Sequence, residues 1–424
     1  MQTKMIKEIL KKADIVLKEY PQLCNMFKKC FTSTIDTATK VEGNKTYIIT
    51  GDINAMWLRD SSAQVNHYLS LIKEDKELQS IIKGLITCQI DFILLDPYAN
   101  AFLKEPVIER EYYDKTDMHP NVWERKYEVD SLCYPIRLSY LYYQNTKDTS
   151  IFTAEYKKCV YKIIEIFKLE QRHLENSTYR FERDMAKVWN LEKTETLQNH
   201  GKGMPVNYTG MTWSGFRPSD DACRFHYNIP GNMFISTILG YIQEIARDIY
   251  QDDILQEMAR ALQFEIDYGI ELYGMVDHPK YGKIFAYETD GFGNHCLMDD
   301  ANVPSLLSIP YLGYLDIENK YYQNTRNFIL SKDNPYYYSG TKLSGIGSPH
   351  TWKGYVWPIA LTMQGLTSHN KEEMIAMIDT IVSSTGGTGY CHESIDCNDD
   401  SHYTREWFCW ANSLFTELVM KVYF

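Results

Sequence analysis

The 424-residue chain lacks the short signatures that mark several common chemistries. Its polar, Gly- and Trp-rich segments contain no GxSxG elbow, P-loop or HExxH, and GxGxxG is absent too, which removes the usual serine hydrolase, NTPase, zinc protease and dinucleotide-binding readings. No basic block interrupts a chain of net charge −12, so the counterion release that drives nucleic-acid binding has no source, and anionic membrane surfaces are disfavoured. No run approaches the ~18 uninterrupted apolar residues of a membrane span, since the best, IDFILLDPY, stops at Asp96 and Pro97. The N-terminal MQTKMIKEILKKADIVLKEYP interleaves Ile6, Ile9, Leu10, Val16 and Leu17 with charges and has no signal-peptide apolar block, so a cytoplasmic protein is expected. The sequons at Asn44, Asn176 and Asn207 carry no weight without secretion.

The ten cysteines include no CxxC pair and read as reduced thiols. Cys391, Cys397, His392 and His402 lie close in sequence, but their spacing follows no common zinc pattern, and no metal or cofactor is expected.

What the chain has in quantity is aromatic surface: 33 Tyr and 8 Trp offer flat apolar faces with hydrogen-bonding edges, which suit core packing and also suit sugars. Helical periodicity recurs over 4–20, 60–74, 76–95, 129–144, 151–174, 229–249, 251–269, 301–314, 318–330, 354–367, 371–383 and 405–423, about twelve helices. Long aromatic, Gly-rich segments lie between them at 110–128, 178–228, 271–300, 333–353 and 384–404, and short alternating pieces such as KTYIIT and KIFAYET predict small hairpins there. No Pro/Ser linker divides the chain, so a single domain over 1–424 is inferred. Helices in sequential pairs fit a toroid of helical hairpins; the pattern also allows an α-solenoid, although no fixed repeat is visible.

Polar residues costly in a core gather with Trp, Gly and Pro in five places. GDINAMWLRDSSAQ brings Asp52, Trp57, Arg59 and Asp60 to a helix start, with Asp60 also readable as an N-cap. WERKYEVDSLCYPIRL crowds Glu124, Arg125, Glu128 and Asp130, a pattern an exposed ion-pair patch shares. In WSGFRPSDDACRFHYNIPGNMF, Asp220 and Asp221 are adjacent; two neighbouring carboxylates repel unless one caps a helix or one stays protonated, as a general acid must. DDANVPSLLSIPYLGY and GIGSPHTWKGYVWPIALTMQGL offer His350, Trp352 and Trp357. HESIDCNDDSHYTREWFCWANSLF places Glu393 before the last aromatic helix, and its Asp residues lack the alternation of a Ca²⁺ loop. Two separated carboxylates in a Trp-rich pocket are the minimum equipment for cleaving a glycosidic bond.

Together these motifs, from about residue 20 to the C-terminus, resemble glycoside hydrolase family 125. The resemblance implies an all-α-dominated (α/α)6 barrel with small β-hairpins in the loops, exo-acting α-mannosidase activity on α-1,6-linked mannose in oligosaccharides, inversion of configuration, and no metal. It assigns the acid to Asp220 and the base to Glu393. Trp57, Arg59, Asp60, Glu128, Asp130, Arg217, Asn302 and His350 are the expected sugar-binding positions. Inversion then calls for carboxyl groups roughly 6.5–9.5 Å apart, with Asp220 raised in pKa by burial or by an anion such as Asp221. Two other readings stand beside this one: a sugar epimerase using His350 or His226, and a glycan-binding protein that does not cut.

Overall fold

The computed structural model describes residues 2–108, 113–184 and 195–424, so parts of the long segments 110–128 and 178–228 lie outside the described residues. In chain order the helices are α1 (Lys4–Val16), α2 (Pro21–Ser33), α3 (Leu58–Ala63), α4 (Lys76–Leu95), α5 (Val129–Thr146), α6 (Ala154–Glu170), the single turns α7 (His173–Asn176) and α8 (Gln198–Gly201), α9 (Ile229–Ile245), α10 (Asp253–Tyr273), α11 (Ile309–Leu312), α12 (Lys320–Ile329), α13 (Pro358–Leu366), α14 (Lys371–Val382) and α15 (Cys409–Tyr423).

The longest helices follow the apolar spacing. α10 buries Leu255, Ala259, Leu262, Ile266 and Ile270 against α9, and each Leu or Ile so placed contributes about 1.5–3 kcal/mol. Asp252 starts this helix by accepting from the Leu255 amide, and Asp75 does the same for α4 through Leu78. Among the described residues α4 is the one helix long and apolar enough to cross a bilayer. It nevertheless carries Lys76, Glu77, Lys83 and Asp91 and packs on the strand Lys45–Ile48, α5 and α6, as a core helix does.

Two sets of helices are distinguished by what they touch. α3 packs on α5, α5 on α9, and α9 on α11; α13 packs on α15, and α15 returns to α3. A second set backs the first, with α2 on α15, α4 on α5, α10 on α9 and α14 on α13.

Several expected helices differ, four of them instructively. The span 4–20 is helical only over α1, and α2 follows where no helix was expected, with Pro21 at the first helical position, where its missing N–H costs nothing. The span 60–74 ends at Ala63, where the Ser61 and Ser62 hydroxyls bond back to the Leu58 carbonyl. The span 301–314 is helical only over α11, since Ser305 and Ser308 close a tight turn and the Asp299 carboxylate takes the amides of Leu306 and Leu307. The last helix starts at Cys409, not 405, after Arg405 adopts a left-handed φ of 48°.

The hairpins expected at KTYIIT and KIFAYET are present as Thr39–Glu42 with Lys45–Ile48 and Met275–His278 with Gly282–Phe285. Two three-stranded antiparallel sheets matter more for function. In one, Trp57 pairs with Ala101 and Ala101 with Glu124; in the other, Val356 pairs with Ile395 and Ser394 with Thr404. The first delivers the chain into α3, and the second holds Glu393 at the edge of Ser394–Asp396.

Candidate active site

A pocket of about 540 Å³, open solvent at its mouth included, is lined by Trp57, Arg59, Asp60, Asp220, Asn302, His350 and Glu393, with Trp357, Arg405, Phe408 and Trp410. It lies at the N-terminal ends of α3, α13 and α15, whose partial positive charge favours the carboxylates gathered there.

Arg59 is the hub. Its Nη1 lies 2.6 Å from Glu128 Oε2 and 3.1 Å from Asp130 Oδ2, its Nη2 3.4 Å from Asp220 Oδ1, and its Nε 3.5 Å from Asp60 Oδ2. Glu128 and Asp130 do not line the pocket: they are buried behind Arg59, at the start of α5, and fix its fork. Asp60 is no N-cap either. It sits inside α3, and its carboxylate accepts from the Thr50 hydroxyl. Arg217 is likewise behind the wall; its Nε donates to Glu288 Oε1 at 2.5 Å, while Glu288 also takes the amides of Arg224 and Phe225 and so pins the acid loop.

The paired acids are pulled apart by the backbone. Asp220 has a left-handed φ of 69°, which turns its side chain into the pocket while Asp221 is buried beneath, with Oδ1 3.2 Å from His350 Nδ1. Burial alone would lower His350; the hydrogen bond and charge of Asp221, with Asp220 and Glu393 beyond, carry it up to about 10. It is therefore an imidazolium and a donor, not a base.

The expectation for Asp220 needs correction. Burial favours its neutral form, but the charge of Lys126, a hydrogen bond with Glu128, and the charges of Arg59 and His350 hold it well below the usual carboxylate range. Burial and the nearby Asp220 charge push Glu128 far up instead, outweighing Arg59. Asp130 rises to about 6 by burial, against the pull of Arg59. The anion coupled to Asp220 is thus Glu128, from another element, and not its sequence neighbour Asp221.

Glu393, in the same pocket lining, is held by the bond from its amide to the Thr404 carbonyl, 3.2 Å, and faces Arg405 Nη1 at 3.5 Å. Arg405 also donates to the Thr50 carbonyl at 2.8 Å and to Asp52, tying the segment after Tyr403–Thr404 to the loop that leads into Met56–Trp57. Asn302 faces the pocket beside Asp300, which accepts from its side-chain and backbone N–H groups at 3.1 and 3.2 Å. Trp357 is buried in the wall with its indole N–H on Thr351, whereas Trp352 is 63% exposed and outside the pocket.

Arg405, Phe408 and Trp410 were missed as site residues, although HYTREWFCW contains all three; an Arg beside aromatics was the available signal. Lys126, fully buried between Glu124 and Glu195, was hidden in a charge run. Among the described residues no His, Cys, Asp and Glu cluster is arranged for a metal: His392 is spent on the Thr385 and Arg405 carbonyls and stacks on Tyr403, while His402 is exposed beside Asp399.

A helix-rich scaffold bringing two carboxyls from distant segments, aromatic walls and hydrogen-bonding side chains around one pocket defines a glycoside hydrolase class of site. Comparison narrows the class. Residues 20–420 match the family described as metal-independent alpha-mannosidase (GH125), and the chain belongs to that family. It is similar over 99% of its length, and 98% of the other's, to a metal-independent alpha mannosidase of Streptococcus pneumoniae, at 45% identity and a TM-score of 0.95. That structure is a non-productive complex with alpha-1,6-mannobiose. The chain is also 40% identical to the meiotically up-regulated gene 157 protein of Schizosaccharomyces pombe, covering 95% of this chain and 83% of that protein. A bacterial glucoamylase in complex with acarbose shares the fold at a TM-score of 0.59 and 11% identity, over 96% of this chain and 56% of the glucoamylase.

Proposed function

We propose that this alpha-mannosidase is exo-acting and inverting, removing terminal non-reducing α-1,6-linked mannose from oligosaccharides such as N-linked glycans, in one (α/α)6 toroid spanning residues 1–424. The observation that carries the reading is that Asp220 and Glu393, 173 positions apart, line one pocket in a chain 45% identical to a mannosidase solved with α-1,6-mannobiose.

Asp220 donates its proton to the glycosidic oxygen as the C1–O bond breaks, and Glu393 takes the proton of a water attacking C1 from the opposite face. The products are β-mannose and the shortened glycan. Arg405 supplies the counter-charge beside Glu393. Trp57, Trp357 and Trp410 present apolar surface to the ring, while Arg59, Asp60, Asn302 and the His350 imidazolium meet its hydroxyls. Glu128, Asp130 and Arg217 act through Arg59, Asp220 and the acid loop.

Exo action needs a floor. Deeper along α5 and α15, Arg137 donates to Asn66, and Asn66 and Tyr311 donate to Glu417 at 2.9 and 3.0 Å, which supports a pocket closed below. The ten free cysteines support action in a reducing compartment such as the cytoplasm.

The epimerase reading loses its proton carriers. His350 is held cationic, and His226, lowered to about 4 by burial, is committed to the Ser214 carbonyl and the Met204 amide. Incubation with α-1,6-mannobiose followed by proton NMR tests the proposal: β-mannose appears first and then mutarotates. Initial release of α-mannose, interconversion of free mannose without cleavage, or binding without products would each refute it.

A further inference from the structure

Four carboxyl groups, those of Asp60, Glu128, Asp130 and Asp220, lie within 3.5 Å of the single Arg59 guanidinium. The side chains of Asp60, Glu128 and Asp130 are almost wholly shielded, so the cluster cannot keep every carboxyl ionised without large desolvation costs; it takes up protons instead. Glu128 and Asp220 differ in one respect that matters. The Glu128 side chain is 0% exposed, whereas Asp220 keeps 23% of its surface open to the pocket, and the two are within hydrogen-bonding reach of each other.

We propose that Glu128 and Asp220 hold one proton between them, and that Glu128 is the reservoir from which Asp220 is reprotonated before each turnover. This rests on the assignment of Asp220 as the acid. Asp220 feels the positive charges of Lys126, Arg59 and His350, and between turnovers the proton stays on Glu128. A bound glycan displaces the water around Asp220, the neutral form of Asp220 becomes favoured, and the proton crosses from the Glu128 carboxyl to Asp220. Asp220 passes it to the leaving oxygen. Glu128 is left ionised against Arg59 Nη1 at 2.6 Å and recovers a proton from solvent through Asp220 once product departs. The charged and titratable groups facing Glu128 are Arg59 from α3, Asp130 from its own helix, and Asp220 and Cys223 from the acid loop; Ser131 and Asn100 donate to it at 3.2 and 3.4 Å. Glu128 is thus a positioning residue that acts through the acid.

The test is Glu128→Gln, with Asp130→Asn as comparator, assayed for kcat/KM against pH on α-1,6-mannobiose and on α-mannosyl fluoride, whose leaving group needs no proton. With the reservoir removed, Asp220 stays ionised: the alkaline limb on mannobiose shifts to lower pH and activity near neutrality falls about 100-fold, while fluoride turnover changes by less than about fivefold. Asp130→Asn leaves the alkaline limb in place. An unmoved limb in Glu128→Gln, an equal loss on both substrates, or a limb moved only by Asp130→Asn would overturn the proposal. Wild-type protein that cleaves neither substrate would overturn the hydrolase reading with it, whereas an active wild type with an unmoved limb sinks this inference alone.

Discussion

Around Arg59, four carboxyl groups crowd one guanidinium and a pocket opens beside them. Seven residues further along both α5 and α15, about 10 Å at 1.5 Å per residue, Arg137 and Glu417 are linked through Asn66, with Tyr311 donating to the same carboxylate. The Arg59 cluster is buried and the Arg137 cluster half-buried, and both centre on an arginine. They differ in balance. The deep cluster has one carboxyl for one guanidinium, with neutral partners filling most remaining sites, a balance that a half-buried ion pair tolerates. The upper cluster has more acid than base can match, an arrangement that costs stability and is retained where proton transfer needs it. Excess charge, more than charge itself, separates the working end from the structural end.

Breaking the upper end at its reacting groups should give the largest effect. Asp220→Asn or Glu393→Gln is expected to lower kcat on mannobiose on the order of 10³-fold, with the melting temperature held or raised, as initial rates and thermal unfolding would show. The next contrast is between the two arginines. Arg59→Met leaves several carboxyls uncompensated and is expected to cost about 3–5 kcal/mol in urea unfolding, with activity abolished. Arg137→Met is expected to cost about 1–3 kcal/mol while kcat/KM per folded molecule survives; equal losses of activity would erase the distinction.

The smallest effect concerns pH. Burial pushes Glu417 up to about 7 from its ordinary 4.5, against the pull of Arg137. The folded state therefore binds the extra proton between these values, and this residue's contribution, complete below pH 4.5, is lost as pH rises through 7. Glu417→Gln should flatten that part of the stability curve in unfolding measured from pH 4 to 8; an unchanged slope would mean the deep carboxyl is ionised.

Much of the scaffold was legible because long amphipathic helices write their burial into the chain: 76–95 was placed to the residue from Asp96 and Pro97 and its apolar rows. Helices shortened by side chains that bond their own backbone were not, since Ser61, Ser62 and Ser305 look unremarkable in sequence. At the site, Asp220, Glu393, Trp57, Arg59, Asp60, Asn302 and His350 were all found and all line one pocket. Glu128, Asp130 and Arg217 were found but stand behind it, a difference only three dimensions express. The pairing of Asp220 with Glu128 was invisible because it joins segments 92 positions apart, whereas the adjacent Asp221 offered an apparent partner that the backbone turns away to His350.

That turn at residue 220 also restricts how the loop can be rebuilt. A backbone at φ 69° is open to glycine, asparagine and aspartate but strained for β-branched side chains, so a valine or threonine there would report misfolding as much as a missing acid. Substituting glycine relaxes the chain and vacates the volume of one carboxymethyl group at the pocket wall, which makes Asp220→Gly the natural host for small acids such as formate supplied from solution.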